Sequence, residues 1–302
     1  MKEKTLIVVV GPTAIGKTAL GIQLATHFNT EIISADSRQF FKEMTIGTAV
    51  PDAEELAAAK HHCIQHISIH QKYSVGDFEK EALSIASQIF KKQDYAIMVG
   101  GSGLYVDAVC NGLDVFPEVT TEVKSEVAEI YETQGLEPLA SILKEKDPVY
   151  YEKVSLQNPQ RVIRAVEVCL SSGKPFSSFL NKEKGNRPFN IIKLGINADR
   201  QIIYDRINLR VDLMMQHGLL EEAKSVFPQK HLNALNTVGY KELFRYFEGE
   251  WDLDFAVAEI KKNTRRFAKR QLTWYRKDEV VKWFDYQTNV AEVIAYIKNH
   301  QV

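Results

Sequence analysis

The sequence predicts an α/β fold. It is read as a parallel sheet core of the phosphate-loop type with helices on both faces, plus a mostly helical insertion and a helical C-terminal region. Three observations predict it. Apolar runs alternate with helix-period stretches through the N-terminal third; a glycine-rich loop separates the first run from the first helix; and strand-like runs stop near Asn111-Gly112, returning only at Phe189.

Residues 6–10 form a continuous apolar run, as a strand buried on both faces requires. Residues 17–28 read as a helix and 31–34 as a second, short strand. Asp52 is placed as the cap of a helix over 53–60, and Asp77 as the cap of another. The latter carries Phe78, Ala82, Ile85, Ala86, Ile89 and Phe90 on one stripe. Residues 95–99 give a third strand ending in Gly100-Gly101. Such alternation implies parallel strands joined by crossover helices. From 120 to 173 only helices are predicted, the last capped by Asn158, with Pro159 in its first turn and Gly173 at its end. A polar loop over 181–188 precedes a strand over 189–197. The predicted division is therefore a core of 1–112 and 188–302 and an insertion of 113–187. Helices follow over 199–217, 239–248 and 254–276, then a late strand over 280–284 and a final helix over 290–299.

The composition narrows the function classes. The 302 residues are 45% hydrophobic and 25% charged, which is a globular balance and excludes general disorder. No apolar run has membrane-spanning length, and the run at 6–10 ends at Gly11 without a cleavage pattern, so no membrane association is expected. Cys63, Cys110 and Cys169 are scattered, which argues against a disulfide framework and for a reducing cytosol. A net charge of −1 excludes a protein basic all over, while leaving room for a local basic face.

The segment Gly11-Pro12-Thr13-Ala14-Ile15-Gly16-Lys17-Thr18 fits the phosphate-binding loop pattern in its proper strand–loop–helix setting. Backbone N–H groups and a helix N-terminus attract phosphate oxygens, Lys17 adds a full charge, and the Thr18 hydroxyl can ligate Mg²⁺. The motif implies a bound di- or triphosphate without saying which. Asp36 follows the second strand and should face the same crevice, where a carboxylate can take a proton from a nucleophile or hold Mg²⁺ through water. A turn aspartate is the ordinary alternative; the sheet-edge position favours chemistry. Gly100-Gly101-Ser102-Gly103 ends the third strand at that edge and allows close backbone approach.

Three further patterns stand out. Gln160, Arg161 and Arg164 share a helix surface opposite an apolar stripe; by themselves they read as a solvated face. Arg206 and Arg210 repeat at i, i+4, within reach either of a pyrophosphate or of Asp212 and Glu221. Residues 261–277 gather Lys261, Lys262, Arg265, Arg266, Lys269, Arg270, Arg276 and Lys277, with Phe267, Trp274 and Tyr275 interleaved and no acidic residue among them. Such a stripe suits RNA phosphates and unpaired bases. His61, His62, His66 and His70 have metal-like spacing but no carboxylate or cysteine placed to complete a site, and read as structural or surface histidines.

At this point the motifs resemble those of the tRNA dimethylallyltransferase (IPP transferase) family over nearly the whole chain. They are GPTAIGKT, DSRQ at 36–39, IGTA at 46–49, YSVGDF at 73–78, GGSGLY at 100–105, NPQRVIRAVEV at 158–168, RINLRVDLM at 206–214, TVGYKEL at 237–243 and NTRRFAKRQLTWYR at 263–276. The departures are mild: Ile15 stands for the usual serine and Ser102 for the usual threonine, and the zinc-finger extension of eukaryotic relatives is absent. The resemblance implies transfer of a dimethylallyl group from dimethylallyl diphosphate to the exocyclic amine of an adenosine beside the tRNA anticodon. It implies Asp36 as base, with Lys17, Thr13 and Arg210 on the leaving pyrophosphate and Mg²⁺ at Thr18. Contacts to the anticodon stem-loop are implied for Asp36, Ser37, Arg38, Gln39, Ser102, Lys124, Gln160, Arg161, Arg164, Lys269, Arg270, Gln271, Trp274 and Arg276. A cytoplasmic monomer is implied as well. The alternatives are a small-molecule kinase on the same loop and a nucleic-acid-binding ATPase; the first leaves the second half of the chain unexplained, and the second lacks an apolar strand ending in aspartate.

Overall fold

The computed structural model describes residues 4–180 and 187–300. The chain divides into two compact units, one of 1–111 with 187–302 and one of 112–186. The first unit is built on a parallel sheet of β1 (Thr5–Val10), β2 (Ile32–Ser34), β3 (His61–His62), β4 (Tyr95–Val99), β5 (Asn190–Asn197) and β6 (Lys282–Asp285), in the order β3-β2-β4-β1-β5-β6. β1 lies between β4 and β5, with Thr5 level with Tyr95 and Asn190. Its side chains alternate between two cores: Leu6, Val8 and Val10 enter one, Ile7 and Val9 the other, all fully buried. This explains why an unbroken apolar run encodes the strand.

One face is covered by α3 (Val75–Phe90), α4 (Gly103–Asn111), α10 (Leu219–Val226) and α11 (Tyr240–Phe247). The other is covered by α1 (Lys17–Phe28) and α13 (Val290–Asn299). The long α9 (Arg200–Gln216) and α12 (Leu253–Tyr275) supply side chains to both cores, and the short α2 (Ala53–Ala58) precedes β3. Asp52 caps α2 in a reciprocal box with Glu55, as the sequence suggests. α3 is different. Its cap is Ser74, and Asp77 is the box partner that reaches back to the Ser74 N–H. Two helices escape the sequence reading. α4 begins on a glycine directly after the β4 turn, and α10 begins after Gly218, which reads as the end of α9.

The second unit holds α5 (Thr121–Gln134), α6 (Leu136–Lys146), α7 (Pro148–Tyr151) and α8 (Pro159–Ser172) around its own core of Val127, Leu139, Leu143, Val162, Val166 and neighbours. Asp147 is fully buried there. Its carboxylate accepts from the Tyr150 and Ser177 N–H groups and the Ser177 hydroxyl, which balances the cost of burying a charge. Most of the predicted polar loop, 181–186, lies outside the described residues.

Candidate active site

The strand order sets the site. β4 lies between β1 and β2, so the loop after Val99 separates the phosphate loop from Asp36, which are not sheet neighbours. Gly11 opens the phosphate loop at φ +147°, where a Cβ would sit 2.5 Å from the Ile196 carbonyl oxygen; only glycine fits. Ala14 takes a left-handed φ of 65° and Gly16 caps α1 at φ 109°. Arg206 Nε donates to the Ala14 carbonyl at 2.7 Å, bracing the loop from α9. Asp212, one of the acidic partners open to it on sequence grounds, instead pairs with Lys261 at 2.6 Å.

Lys17 Nζ donates to the Pro12 carbonyl at 2.7 Å. Its ammonium is pulled down to about 8, first by burial and next by the Arg210 charge, with Asp36 opposing. The Arg210 guanidinium is likewise lowered by burial and by Arg206. Half-buried Lys17 and Arg210, with Arg206 beside them, outnumber the nearby carboxylates of Asp36 and Glu55, an imbalance that a diphosphate would offset.

A cavity of about 480 Å³ opens at this edge, within the usual range for a small-molecule cleft. Thr13, Asp36, Ser37, Arg38, Ser102, Arg210, Arg270, Gln271 and Trp274 all line it, from five different parts of the first unit. Lys241, in the TVGYKEL motif, lines it too, a place that its sequence neighbourhood does not signal. Ser102 Oγ accepts from the Ser37 N–H at 3.0 Å and bonds its hydroxyl at 3.1 Å. Asp36 accepts the Arg38 N–H at 3.0 Å. Arg38 donates to the carbonyls of Asn233 and Ala234, and Gln39 donates to those of Thr48 and Ala49, so both side chains are engaged in shaping the cavity wall.

Gln271 is buried and works as a bracket. Its Oε1 accepts the Thr13 N–H at 2.8 Å and its Nε2 donates to the Gly101 carbonyl at 3.0 Å. The glycines after β4 make room for this helix: a Cβ on Gly101 would meet Gln271, and one on Gly103 would meet Trp274. Trp274 is exposed, with its indole N–H on Asp107 at 2.9 Å.

The basic stripe of α12 is less uniform than its sequence suggests. Lys261 and Lys262 are paired with Asp212 and Glu259, and Arg265 donates to Asn208 at 2.7 Å. Lys269 and Arg276 are exposed and line a separate cleft of about 240 Å³ with Arg200 and Tyr204, rather than the main cavity. In the second unit Lys124, Gln160, Arg161 and Arg164 are all exposed, with Arg164 over the Phe116 ring. His62 bonds Glu31 at 2.6 Å and His66 approaches Glu81 at 3.3 Å.

The IPP transferase family model matches residues 39–278. A tRNA dimethylallyltransferase of Flavobacterium johnsoniae is 60% identical over 97% of both chains, and one of Christiangramia forsetii is 59% identical with the same coverage. Among solved structures, the full-length tRNA isopentenylpyrophosphate transferase of Bacillus halodurans aligns with a TM-score of 0.74 at 34% identity, over 99% of this chain and 96% of that one. A eukaryotic dimethylallyltransferase acting on tRNA aligns with a TM-score of 0.85 at 25% identity, over 98% of this chain and 79% of that one. On the family match and these identities, the chain belongs to the IPP transferase family.

Proposed function

We propose that this chain transfers the dimethylallyl group of dimethylallyl diphosphate to the exocyclic amine of an adenosine beside the tRNA anticodon, releasing diphosphate. The observation that carries the reading is the one cavity in which Asp36, Thr13 and Arg210 meet, with half-buried Lys17 beside them. The adenine amine is a weak nucleophile because its lone pair is delocalised into the ring. Asp36 accepts a hydrogen bond from it and then its proton as the nitrogen–carbon bond forms. The allylic carbon–oxygen bond breaks, and the electron pair leaves with the diphosphate. Lys17, Arg210 and the Thr13 hydroxyl stabilise that growing charge, while the loop N–H groups of Gly11, Ala14, Ile15, Gly16, Lys17 and Thr18 and the Pro12 turn shape its cradle. Because Gln271 holds the Thr13 N–H, Thr13 acts through its hydroxyl.

Mg²⁺, when bound, would neutralise diphosphate charge, held by the Thr18 hydroxyl. Among the described residues no group of three His, Cys, Asp or Glu side chains could hold a metal ion. That donor set suits an ion coordinated mainly by phosphate oxygens and water.

A base stacked in an RNA loop reaches such a cavity only when extruded. Ser37, Ser102, Arg270 and Trp274 border the cavity and receive it; Arg38, Gln39 and Gln271 keep the walls in place. Lys269 and Arg276, and Lys124, Gln160, Arg161 and Arg164 of the second unit, hold RNA phosphates and base edges. A cytoplasmic enzyme is consistent with three buried free cysteines; among the described residues no helix is long and apolar enough to cross a membrane. The test is incubation with dimethylallyl diphosphate and a tRNA bearing adenosine beside its anticodon, followed by nucleoside mass spectrometry. A five-carbon addition to that adenosine is expected. No addition with the prenyl donor, or phosphate transfer from ATP, would overturn the reading.

A further inference from the structure

Glu222 lies in the first turn of α10, half-buried and outside the cavity lining. Its Oε2 accepts the Thr45 N–H at 2.9 Å and the Ile46 N–H at 2.8 Å. Its Oε1 accepts the Gly47 N–H at 2.8 Å and the Tyr240 hydroxyl at 2.7 Å. Three successive main-chain N–H groups converging on one point form an anion nest, and here a carboxylate of the chain itself fills it. Such charge-assisted bonds are roughly twice as strong as neutral ones.

Tyr240 completes the latch. It is fully buried, and a Cβ on Gly47 would come within 2.6 Å of its ring, so the ring takes the place a side chain would need. From the other side, Gln39 Nε2 donates to the carbonyls of Thr48 at 3.2 Å and Ala49 at 2.8 Å. Ala49 is held at φ 52°, a conformation that persists when its surroundings over-determine it. Residues 45–49 are thus gripped from both flanks.

Gly47, Thr48 and Ala49 line the cavity, as do Val211, Met214 and Leu219. Val211 follows Arg210 on α9 and Met214 lies one turn beyond it, so the same helix carries the guanidinium and part of the cavity's apolar wall. The Ile46 side chain comes within 3.8 Å of the Cβ position of Gly218, which places the gripped segment against the α9–α10 corner where that wall ends.

We propose that Glu222 and Tyr240 are positioning residues that hold 45–49 as the end wall of the cavity's apolar part, and so restrict the donor to a short prenyl chain. The proposal rests on the donor reading above. Its test compares kcat/KM for dimethylallyl diphosphate and for the ten-carbon geranyl diphosphate, at saturating tRNA, in the wild type, Glu222→Gln and Tyr240→Phe. One methylene in a fitted apolar pocket is worth about tenfold or more. The preference for the shorter donor is therefore expected to fall by about tenfold in Glu222→Gln and by less in Tyr240→Phe. The change should appear in donor KM, with anticodon stem-loop affinity unaltered. Tyr240→Phe keeps the ring and decides the matter if Glu222→Gln does not fold. An unchanged preference, or an equal loss for both donors, overturns the proposal. A wild type that transfers neither chain overturns the donor reading instead.

Discussion

The two units solve different problems. In the first, residues far apart in sequence are tied to one another around a cavity: Gln271 bonds Thr13 from 258 positions away, and Arg206 braces Ala14 from 192 away. In the second, Lys124, Gln160, Arg161 and Arg164 stand on the exposed sides of amphipathic helices, with Asp147 and an apolar core locking only the interior. Exposed side chains can contribute charge and hydrogen bonds to a polymer backbone. They cannot provide the dry, fixed geometry that bond-making requires. The proposed division accordingly gives chemistry to the first unit and RNA grip to the second, aided by the exposed end of α12.

The largest effect is expected at Asp36. Asp36→Asn keeps size and removes the proton acceptor, so the transfer rate should fall by about 10²–10⁴-fold while tRNA still binds. Single-turnover prenylation with saturating tRNA measures it. Next comes Lys17→Ala, with a loss of about 10²–10³-fold, shared between donor saturation and the chemical step. A Lys17 variant defective only in tRNA affinity would erase the contrast between the two units.

Smaller effects are expected where the charges are exposed. Replacing Lys269, Arg270 and Arg276 by glutamine should weaken stem-loop binding and flatten its dependence on salt by up to about one unit per lost phosphate contact. Arg265 is better left in place, since its bond to Asn208 makes it part of the packing. Affinity measured at several salt concentrations gives the slope, and an unchanged slope would make α12 a solvated face.

The smallest effect is one of pH. Diphosphate favours charged Lys17, whose value near 8 means that the free site is losing its proton above that pH. Donor affinity should be flat below pH 8 and decline above it, by at most about tenfold per pH unit. The sign for stability is opposite. A charge disfavoured by folding weakens the fold below pH 8, and this cost is relieved between pH 8 and 10.5. Calorimetric titration of the donor reads the first trend, and thermal unfolding across the same pH range reads the second.

Much of this arrangement is legible in the chain because its signals are local. The run at 6–10, the loop at 11–18 and the Asn158–Pro159 start of α8 each report their own structure within a few residues. α10 has only Gly218 ahead of it, and α4 starts on Gly103 within the glycine-rich turn after β4, so neither start stands out in the sequence. For α3 the sequence offers both halves of a capping box, and the spacing alone does not tell the Ser74 cap from its Asp77 partner. The Gln271 bracket, the Arg38 and Gln39 anchors and the Glu222 latch depend on which loops the sheet order brings together. No spacing within the chain encodes that directly, and α12 reads as uniformly basic until Asp212 is seen beside Lys261.

The division of labour is tested most directly by single-turnover prenylation followed against tRNA concentration, with Asp36→Asn and the Arg161→Gln, Arg164→Gln double variant measured side by side. Asp36→Asn should lower the plateau by at least about 10²-fold and leave the half-saturating tRNA concentration in place. The arginine variant should reach the wild-type plateau at a higher tRNA concentration. The opposite pattern, a lowered plateau from the arginines or a shifted midpoint alone from Asp36, would contradict it.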